Sequence, residues 1–213
     1  MTNAVVRWLM AAVLASAGAL AHATTLDYDA FIAGTKIGEA KVTVEVGTDS
    51  YLIQGRAHAV GFMDFITQWR TLFTATGSVG EGQPVVHEYS LIERARNKIK
   101  EIFLSDGTVT YTKNGRTRPP RTANGLDLLT ALFVAQDCAI DQVHNGKDSY
   151  RLTLRDKVTV DDGAASLKCS FDVVDEDDEH MTAEVWLGTV GDLVVPLRVD
   201  LQGALEGSLR VSS

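Results

Sequence analysis

Apolar and polar residues alternate with a period of two over most of the chain, a pattern that predicts β-strands with one buried face. Leu26, Tyr28 and Ala30 alternate with polar residues, and Val42 and Val44 repeat the pattern after a glycine-marked bend. Further alternating or strand-like segments lie near 51–59, 67–76, 85–92, 98–104, 108–113, 150–160, 167–173, 181–187, 193–201 and 204–211. The turn signals Asp106-Gly107, a strong hairpin turn, and Asn114-Gly115 lie between such segments. We therefore expect a mainly β fold of about eleven or twelve antiparallel strands.

One long stretch departs from this pattern and predicts a helix, from Thr122 to Cys138. Its apolar residues leave no polar face: Leu126, Leu128, Leu129, Leu132, Phe133 and Val134. A helix of this kind should be buried. Thr122, Asn124 and Asp127 are all possible N-caps, so the pattern leaves the first residue of the helix open. A lone buried helix among strands favours a curved sheet or open barrel that the helix plugs or covers.

The amino terminus has the features of a cleavable export signal. Arg7 precedes an apolar run from Leu9 to Leu20, and Ala21-His22-Ala23 fits the small-x-small cleavage rule. We expect a signal peptide over 1–23 and a single domain over 24–213, with the mature protein in the periplasm. The apolar run is shorter than the roughly 20 residues that span a bilayer, so no transmembrane segment is expected after cleavage.

Charge and cysteine content narrow the class of protein further. The 213 residues carry a formal net charge of −8. This charge argues against a nucleic-acid partner, because binding phosphates needs a dense cationic surface. Cys138 and Cys169 are the two cysteines of the chain, and export would place them in an oxidising compartment. A disulfide between the helix end and a strand is the favoured interpretation; two buried thiols or a redox pair are the alternatives.

The segment from Phe62 to Ile66 is the most hydrophobic outside the helix and the signal. A loop buried in the core is the simpler interpretation. The other is a loop at the mouth of an apolar cavity, where Phe62, Met63 and Phe65, with Trp69 after them, would contact a hydrophobic ligand.

Basic residues cluster at two places in this acidic chain. Strand alternation would place four of them on one face if no bulge intervened: Arg94, Arg96, Lys98 and Lys100. Three more precede the helix around Pro119-Pro120: Arg116, Arg118 and Arg121. Such clusters either bind an anionic headgroup, glycan or acidic partner, or form an ordinary solvent-facing surface. Arg94, Arg96 and Lys98 are therefore included among the candidate ligand-binding residues.

The chain contains no linear signature of catalysis or metal binding. His58, His87, His144 and His180 lack the spacing of a zinc site and are expected on strand surfaces or in turns. The acidic run from Asp175 to Glu179 lacks the spacing of a calcium loop. No serine stands in a nucleophile elbow. We therefore expect neither a cofactor nor a catalytic residue, although dispersed carboxylates or a serine–histidine pair could still meet in space.

Four stretches, in order along the chain, resemble the exported bacterial family of unknown function DUF3108. They are Tyr28 to Val44, with Gly34 and Gly38-Glu39-Ala40; Gly61-Phe-Met-Asp-Phe65 leading to Trp69-Arg70; Leu126-Asp-Leu-Leu-Thr-Ala-Leu132; and Val185-Trp-Leu187 followed by Val195-Pro-Leu-Arg198. The family typically has Asp-Pro-x-Ser-Ala-Leu in the third stretch, and this chain lacks the proline. The resemblance implies a strongly curved antiparallel sheet wrapping a helix, similar to periplasmic lipoprotein carriers and envelope-integrity β-spiral proteins. It supplies no active site.

Together these features favour a non-enzymatic protein of the cell envelope. Its expected ligand is a lipid-like molecule, a peptide or a partner protein, held in the concave face of the sheet. A pure interaction scaffold for envelope integrity is the alternative, and an envelope hydrolase is a third possibility.

Overall fold

A computed structural model describes residues 23–80, 82–135, 137–162, 164–203 and 206–212. The predicted signal peptide lies outside these residues except for Ala23. These residues contain two helices, α1 (Gly61–Thr67) and α2 (Leu128–Phe133). The strands are β1 (Ala23–Ile32), β2 (Thr35–Val46), β3 (Ser50–Ala59), β4 (Arg70–Ser78), β5 (Val85–Ala95), β6 (Lys98–Ser105), β7 (Thr108–Lys113), β8 (Arg116–Thr117), β9 (Arg121–Thr122), β10 (Leu126–Asp127), β11 (Gln142–His144), β12 (Ser149–Asp162), β13 (Ala165–Asp175), β14 (His180–Val190), β15 (Leu193–Gln202) and β16 (Gly207–Val211).

The mainly β prediction is confirmed, but the predicted number of strands is too low. All sixteen strands form one sheet that is not closed into a barrel, in the order β10-β11-β12-β13-β14-β15-β16-β1-β2-β3-β4-β5-β6-β7-β8, with β9 paired to β7. The pairs are antiparallel except β10–β11, which is parallel. The missed strands are mostly pairs of residues such as β8 and β9, too short to show a period of two.

Two of the predicted hairpin turns are present. Asp106-Gly107 connects β6 to β7, and Asn114-Gly115 connects β7 to β8. All four residues have positive φ, the backbone that a two-residue hairpin turn of the favoured handedness requires.

The predicted helix over Thr122–Cys138 is wrong in its length. Of the described residues in this stretch, only Leu128–Phe133 are helical, and β9 and β10 occupy its first part. Asp127 ends the preceding strand and caps the helix, so strand and helix meet at one residue. Three of its six residues, Thr130, Ala131 and Phe133, are buried, and the helix packs against β3, β10, β11 and β15.

The sheet has a core face and an outer face, and successive side chains on each strand point alternately to one and the other. The core face carries the main hydrophobic cluster, in which Leu26, Val44 and Ile53 pack with Phe133 of α2. Tyr28 contacts the Phe133 ring edge-on, with ring centroids 6.2 Å apart. A second cluster lies around β13 and contains Cys138, Cys169 and Phe171. Cys138 and Cys169 form the predicted disulfide, with their Cα atoms 6.4 Å apart.

Candidate functional site: the sheet end at helix α1

The segment predicted as a loop at 62–66 is a helix, α1, in the connection from β3 to β4. Gly61 has φ 57°, a left-handed backbone that turns the chain out of β3 into the helix. Val60 before it donates its N–H to the carbonyl of Ile37, at 3.0 Å. Gln68 ends the helix in a left-handed conformation and donates its N–H to the carbonyl of Asp64. The helix is thus tied to β2 at its start.

The buried-core interpretation of this segment is wrong, because α1 has no buried residue. Phe62 is 74% exposed, Phe65 73% and Ile66 45%. Phe65 and Ile66 stand three and four positions after Phe62, so the three side chains form one apolar face of the helix. Met63 and Trp69, the other predicted apolar ligand contacts, are only partly exposed. The predicted residues are therefore brought together, but their most apolar face points into solvent.

Arginine side chains surround this helix. Arg70 Nη1 bonds Asp64 Oδ1 at 2.6 Å, and this hydrogen bond holds the pKa of the Asp64 carboxyl below its usual value. Arg96 donates from Nη2 to the Phe65 carbonyl at 2.9 Å, and from its backbone N–H to the Thr67 carbonyl at 2.8 Å. Arg94 lies directly across from Arg70 in the β4–β5 pair. Three guanidinium groups thus lie at the α1 end of the sheet.

The prediction that Arg94, Arg96, Lys98 and Lys100 share one face is wrong. Residues 96 and 97 form the turn between β5 and β6, and the pairing after it sets Arg94 opposite Ile99 and Lys100 opposite Glu93. Arg94 therefore lies on the outer face, whereas Lys98 and Lys100 lie on the core face. Lys100 Nζ is 2.6 Å from the Glu93 carboxylate. A turn in the middle of the cluster separated the cations.

The core face changes character toward the α1 end. Where α2 packs, it carries large side chains; toward α1 it carries small ones. Five small residues occupy adjacent positions on β1, β2 and β3: Ala30, Gly38, Ala40, Ala57 and Ala59. Ala40 on β2 pairs with Ala57 on β3, and the same row of paired residues continues across β4, β5 and β6 with Thr71, Glu93 and Lys100.

The sequence analysis identified Asp127 as a possible helix cap, but not the buried polar cluster under α2 to which it belongs. Asp127 is 0% exposed and accepts hydrogen bonds from the backbone N–H groups of Leu129 and Thr130 and, at 2.5 Å, from Thr130 Oγ1. Because that hydroxyl hydrogen is used, Tyr51 donates its own to Thr130 Oγ1, at 2.8 Å. Burial raises the pKa of Asp127 despite these donors, and raises the pKa of Tyr51 to about 12. The donors satisfy the carboxylate and fix the start of α2.

His144 lies beside this cluster, opposite Asp127 in the parallel β10–β11 pair. The expectation that it lies on a strand surface or in a turn is wrong, because it is 1% exposed. Neither ring nitrogen has a hydrogen-bond partner among the described residues. Burial, with a smaller contribution from the nearby charge of Arg121, lowers the pKa of His144 to about 4. The imidazole is therefore neutral at pH 7.

A serine–histidine pair, which the sequence analysis left open, is present at the surface. Ser78 Oγ and His87 Nε2 are 3.3 Å apart, but this pair is exposed and lines neither of two surface depressions, of about 370 and 360 Å³. The first depression is polar, with Arg151 paired to Asp178 at 3.2 Å. Within the described part of the chain, no group of three or more potential metal ligands converges.

Comparisons with known proteins identify a family but no function. A family model described as "Protein of unknown function (DUF3108)" matches residues 27–212, so the chain belongs to that family. No curated protein and no solved structure matches the chain. Among the described residues, no helix has both the length and the apolar character needed to cross a membrane.

Proposed function

We propose that this protein is a non-enzymatic component of the cell envelope, exported to the periplasm, that binds a lipid-like ligand. In this proposal the sheet curves around α2 and holds the ligand against its concave core face. The observation that carries it is the set of small residues at the α1 end of that face, beside a region filled by α2 and large side chains. Small side chains leave space on a face that larger ones would fill.

The charges at this end fit an amphiphile with an acidic headgroup. An acyl chain would lie along Ala40 and Ala57, and its anionic group would reach Lys98 or Lys100 on the same face. Lys100 is already paired with Glu93, so Lys98 is the better candidate for contact with the ligand. Met63 and Trp69 stand at the end of this region, where β3 leads into α1 and α1 into β4.

The test is uptake of a fluorescent fatty acid by delipidated protein, together with mass spectrometry of lipid that co-purifies from the periplasm. Ala57→Leu should reduce uptake at least about tenfold, because the added carbons occupy the proposed ligand volume. Gln54→Leu is the control, since it places a leucine on the exposed outer face of the same strand. Thermal unfolding of both variants checks that they fold.

Absence of both uptake and co-purified lipid would refute the lipid proposal. Equal uptake by the wild type and Ala57→Leu would place any ligand elsewhere than on this face.

A peptide or protein ligand is the second candidate, and one observation favours it. β11 pairs with β12 only at Ser149–Arg151, and Leu152 donates its N–H to the Asp141 carbonyl at 2.8 Å. Beyond Leu152, no described strand pairs with this side of β12, where Leu154 and Val158 are exposed. An open edge can accept an added strand from another chain. An envelope protein that co-purifies without lipid, and is lost in Leu154→Asp/Val158→Asp, would favour this scaffold function.

A further inference from the structure

The exposed face of α1 is not explained by ligand binding on the core face. Phe62, Phe65 and Ile66 point into solvent, and Phe62 and Phe65 are the most exposed large hydrophobic residues in the described chain. Contiguous exposed apolar side chains rimmed by polar groups mark interaction surfaces. The apolar face of the helix and the arginines around it together form the α1 surface: Phe62, Phe65, Ile66, Arg70, Arg94 and Arg96.

Hydrogen bonds hold the backbone of α1 in place at the end of the sheet. Arg96 bonds the carbonyls of Phe65 and Thr67, and Ala59 donates its N–H to the Trp69 carbonyl at 3.0 Å. Thr67 Oγ1 bonds the Met63 carbonyl at 2.7 Å inside the helix. The helix therefore presents its apolar face on a rigid support, so little ordering is required when that face is covered.

The charge around the apolar face has the opposite sign to that of the whole protein. Arg70, Arg94 and Arg96 with Asp64 leave a net charge of +2, in a chain whose formal charge is −8. Asp64 is already hydrogen-bonded to Arg70. Beyond Arg94 the outer face continues with Ile99, 46% exposed, and Leu72, 59% exposed, lies on the same face. Apolar and cationic groups thus lie side by side on the outer face of the sheet next to α1.

We propose that the α1 surface docks this protein on a bilayer that carries anionic lipid headgroups. Phenylalanine and isoleucine side chains enter the boundary between headgroups and acyl chains, while flanking arginines bind phosphate, the arrangement of interfacial amphipathic helices. Charge complementarity favours this occupant, since an anionic bilayer attracts a local cationic patch on an otherwise acidic protein. The docking does not depend on a ligand on the core face, so the two proposals fail separately.

The experiment is co-sedimentation of the full mature chain with vesicles of phosphatidylethanolamine and phosphatidylglycerol, at low ionic strength, against vesicles of phosphatidylcholine alone. The wild type should bind the anionic vesicles more strongly, and added salt should weaken binding by screening the arginines. Phe62→Ser/Phe65→Ser should lower the apparent affinity for both vesicle types at least about tenfold, because it removes the inserted groups. Arg94→Gln should lower it about fivefold on anionic vesicles only.

Val85→Ser is the control: it removes an exposed apolar side chain, 56% exposed, at the end of the β4–β5 pair opposite to Arg70 and Arg94. Its affinity should equal that of the wild type. Wild-type binding that is absent, or that is unchanged in Phe62→Ser/Phe65→Ser, would overturn the proposal. A reversible dimer of the wild type that is lost in Phe62→Ser/Phe65→Ser, without vesicle binding, would overturn it in favour of a second copy of the chain.

Discussion

The two helices have similarly apolar sequences and opposite surroundings. α1 reads Gly-Phe-Met-Asp-Phe-Ile-Thr and buries no residue; α2 reads Leu-Leu-Thr-Ala-Leu-Phe and buries half of its residues. Both are far below the length at which an isolated helix is stable in water. Each depends on its contacts with the sheet, but the kind of contact differs. α1 is held by backbone and arginine hydrogen bonds at the sheet end, whereas α2 is held by side-chain packing and a buried cap.

The difference shows that the hydrophobicity of a segment sets how much its burial would stabilise the fold, but does not decide whether the segment is buried. α2 follows β10 directly and is brought onto the core face by the parallel β10–β11 pair. α1 follows the end of β3, where no further strand covers it among the described residues. Apolar side chains at that position either remain exposed or contact another body. α2 therefore stabilises the fold, whereas α1 is available for the docking interaction proposed above.

The largest expected contrast is between the phenylalanines of the two helices. Phe133→Ala should lower the free energy of unfolding by about 4 kcal/mol, because it removes a buried ring and leaves a cavity beside Tyr28. Phe65→Ala, at a 73% exposed position, should change it by less than about 0.5 kcal/mol. Urea unfolding of both variants measures the contrast, and equal losses would show that α1 also supports the core.

The disulfide next to α2 should contribute almost as much to the free energy of unfolding as Phe133 does. It joins Cys138, after α2, to Cys169 in β13 across a sequence separation of 31 residues. Cys138→Ser should lower the free energy of unfolding by about 3.5 kcal/mol in oxidised protein, because the unfolded chain gains freedom. Calorimetry with and without reductant tests this. An unchanged melting temperature would show that the bridge does not stabilise the fold.

The smallest of the three effects is a pH dependence from His144. Its pKa is about 4 in the fold and about 6.5 when unfolded, so the unfolded chain binds more protons between these values. Its contribution to stability is complete above about pH 6.5 and is lost as pH falls toward 4, by up to about 3 kcal/mol.

His144→Leu isolates this contribution. Asp127 has a raised pKa and acts with the opposite sign, since its stabilising effect falls as pH rises, but both proteins retain it. The difference in unfolding free energy between wild type and His144→Leu should therefore change between pH 7 and pH 4. If this difference stayed constant with pH, the result would show that folding does not lower the pKa of His144.

The parts of the fold that depend on neighbours in sequence were predictable. Alternation along β1 and β2 and the positive-φ turns at Asp106-Gly107 and Asn114-Gly115 follow from local backbone chemistry. The cap at Asp127 was one of three that the pattern allowed. Pairing of Cys138 with Cys169 followed because they are the two cysteines of the chain. Family membership followed from motifs in the expected order.

The candidate site was predictable in composition and not in geometry. Phe62, Phe65, Arg94 and Arg96 were identified from hydrophobicity and charge, and they do lie close together. Their exposure depends on where α1 sits at the sheet end, and the separation of Lys98 from Arg94 depends on the turn at 96 and 97. The burial of His144 depends on its parallel pairing with Asp127, which no local pattern specifies.

The sequence by itself determined a mainly β chain with hairpin turns, a disulfide and two apolar segments, because strand alternation, turn conformation and cysteine number are local properties. Only the tertiary structure decided which apolar segment is buried, how many strands join one sheet, and which cations share a face. These outcomes depend on contacts between residues far apart in the chain, such as Tyr51 with Thr130, and on register, where one residue moves a side chain to the opposite face.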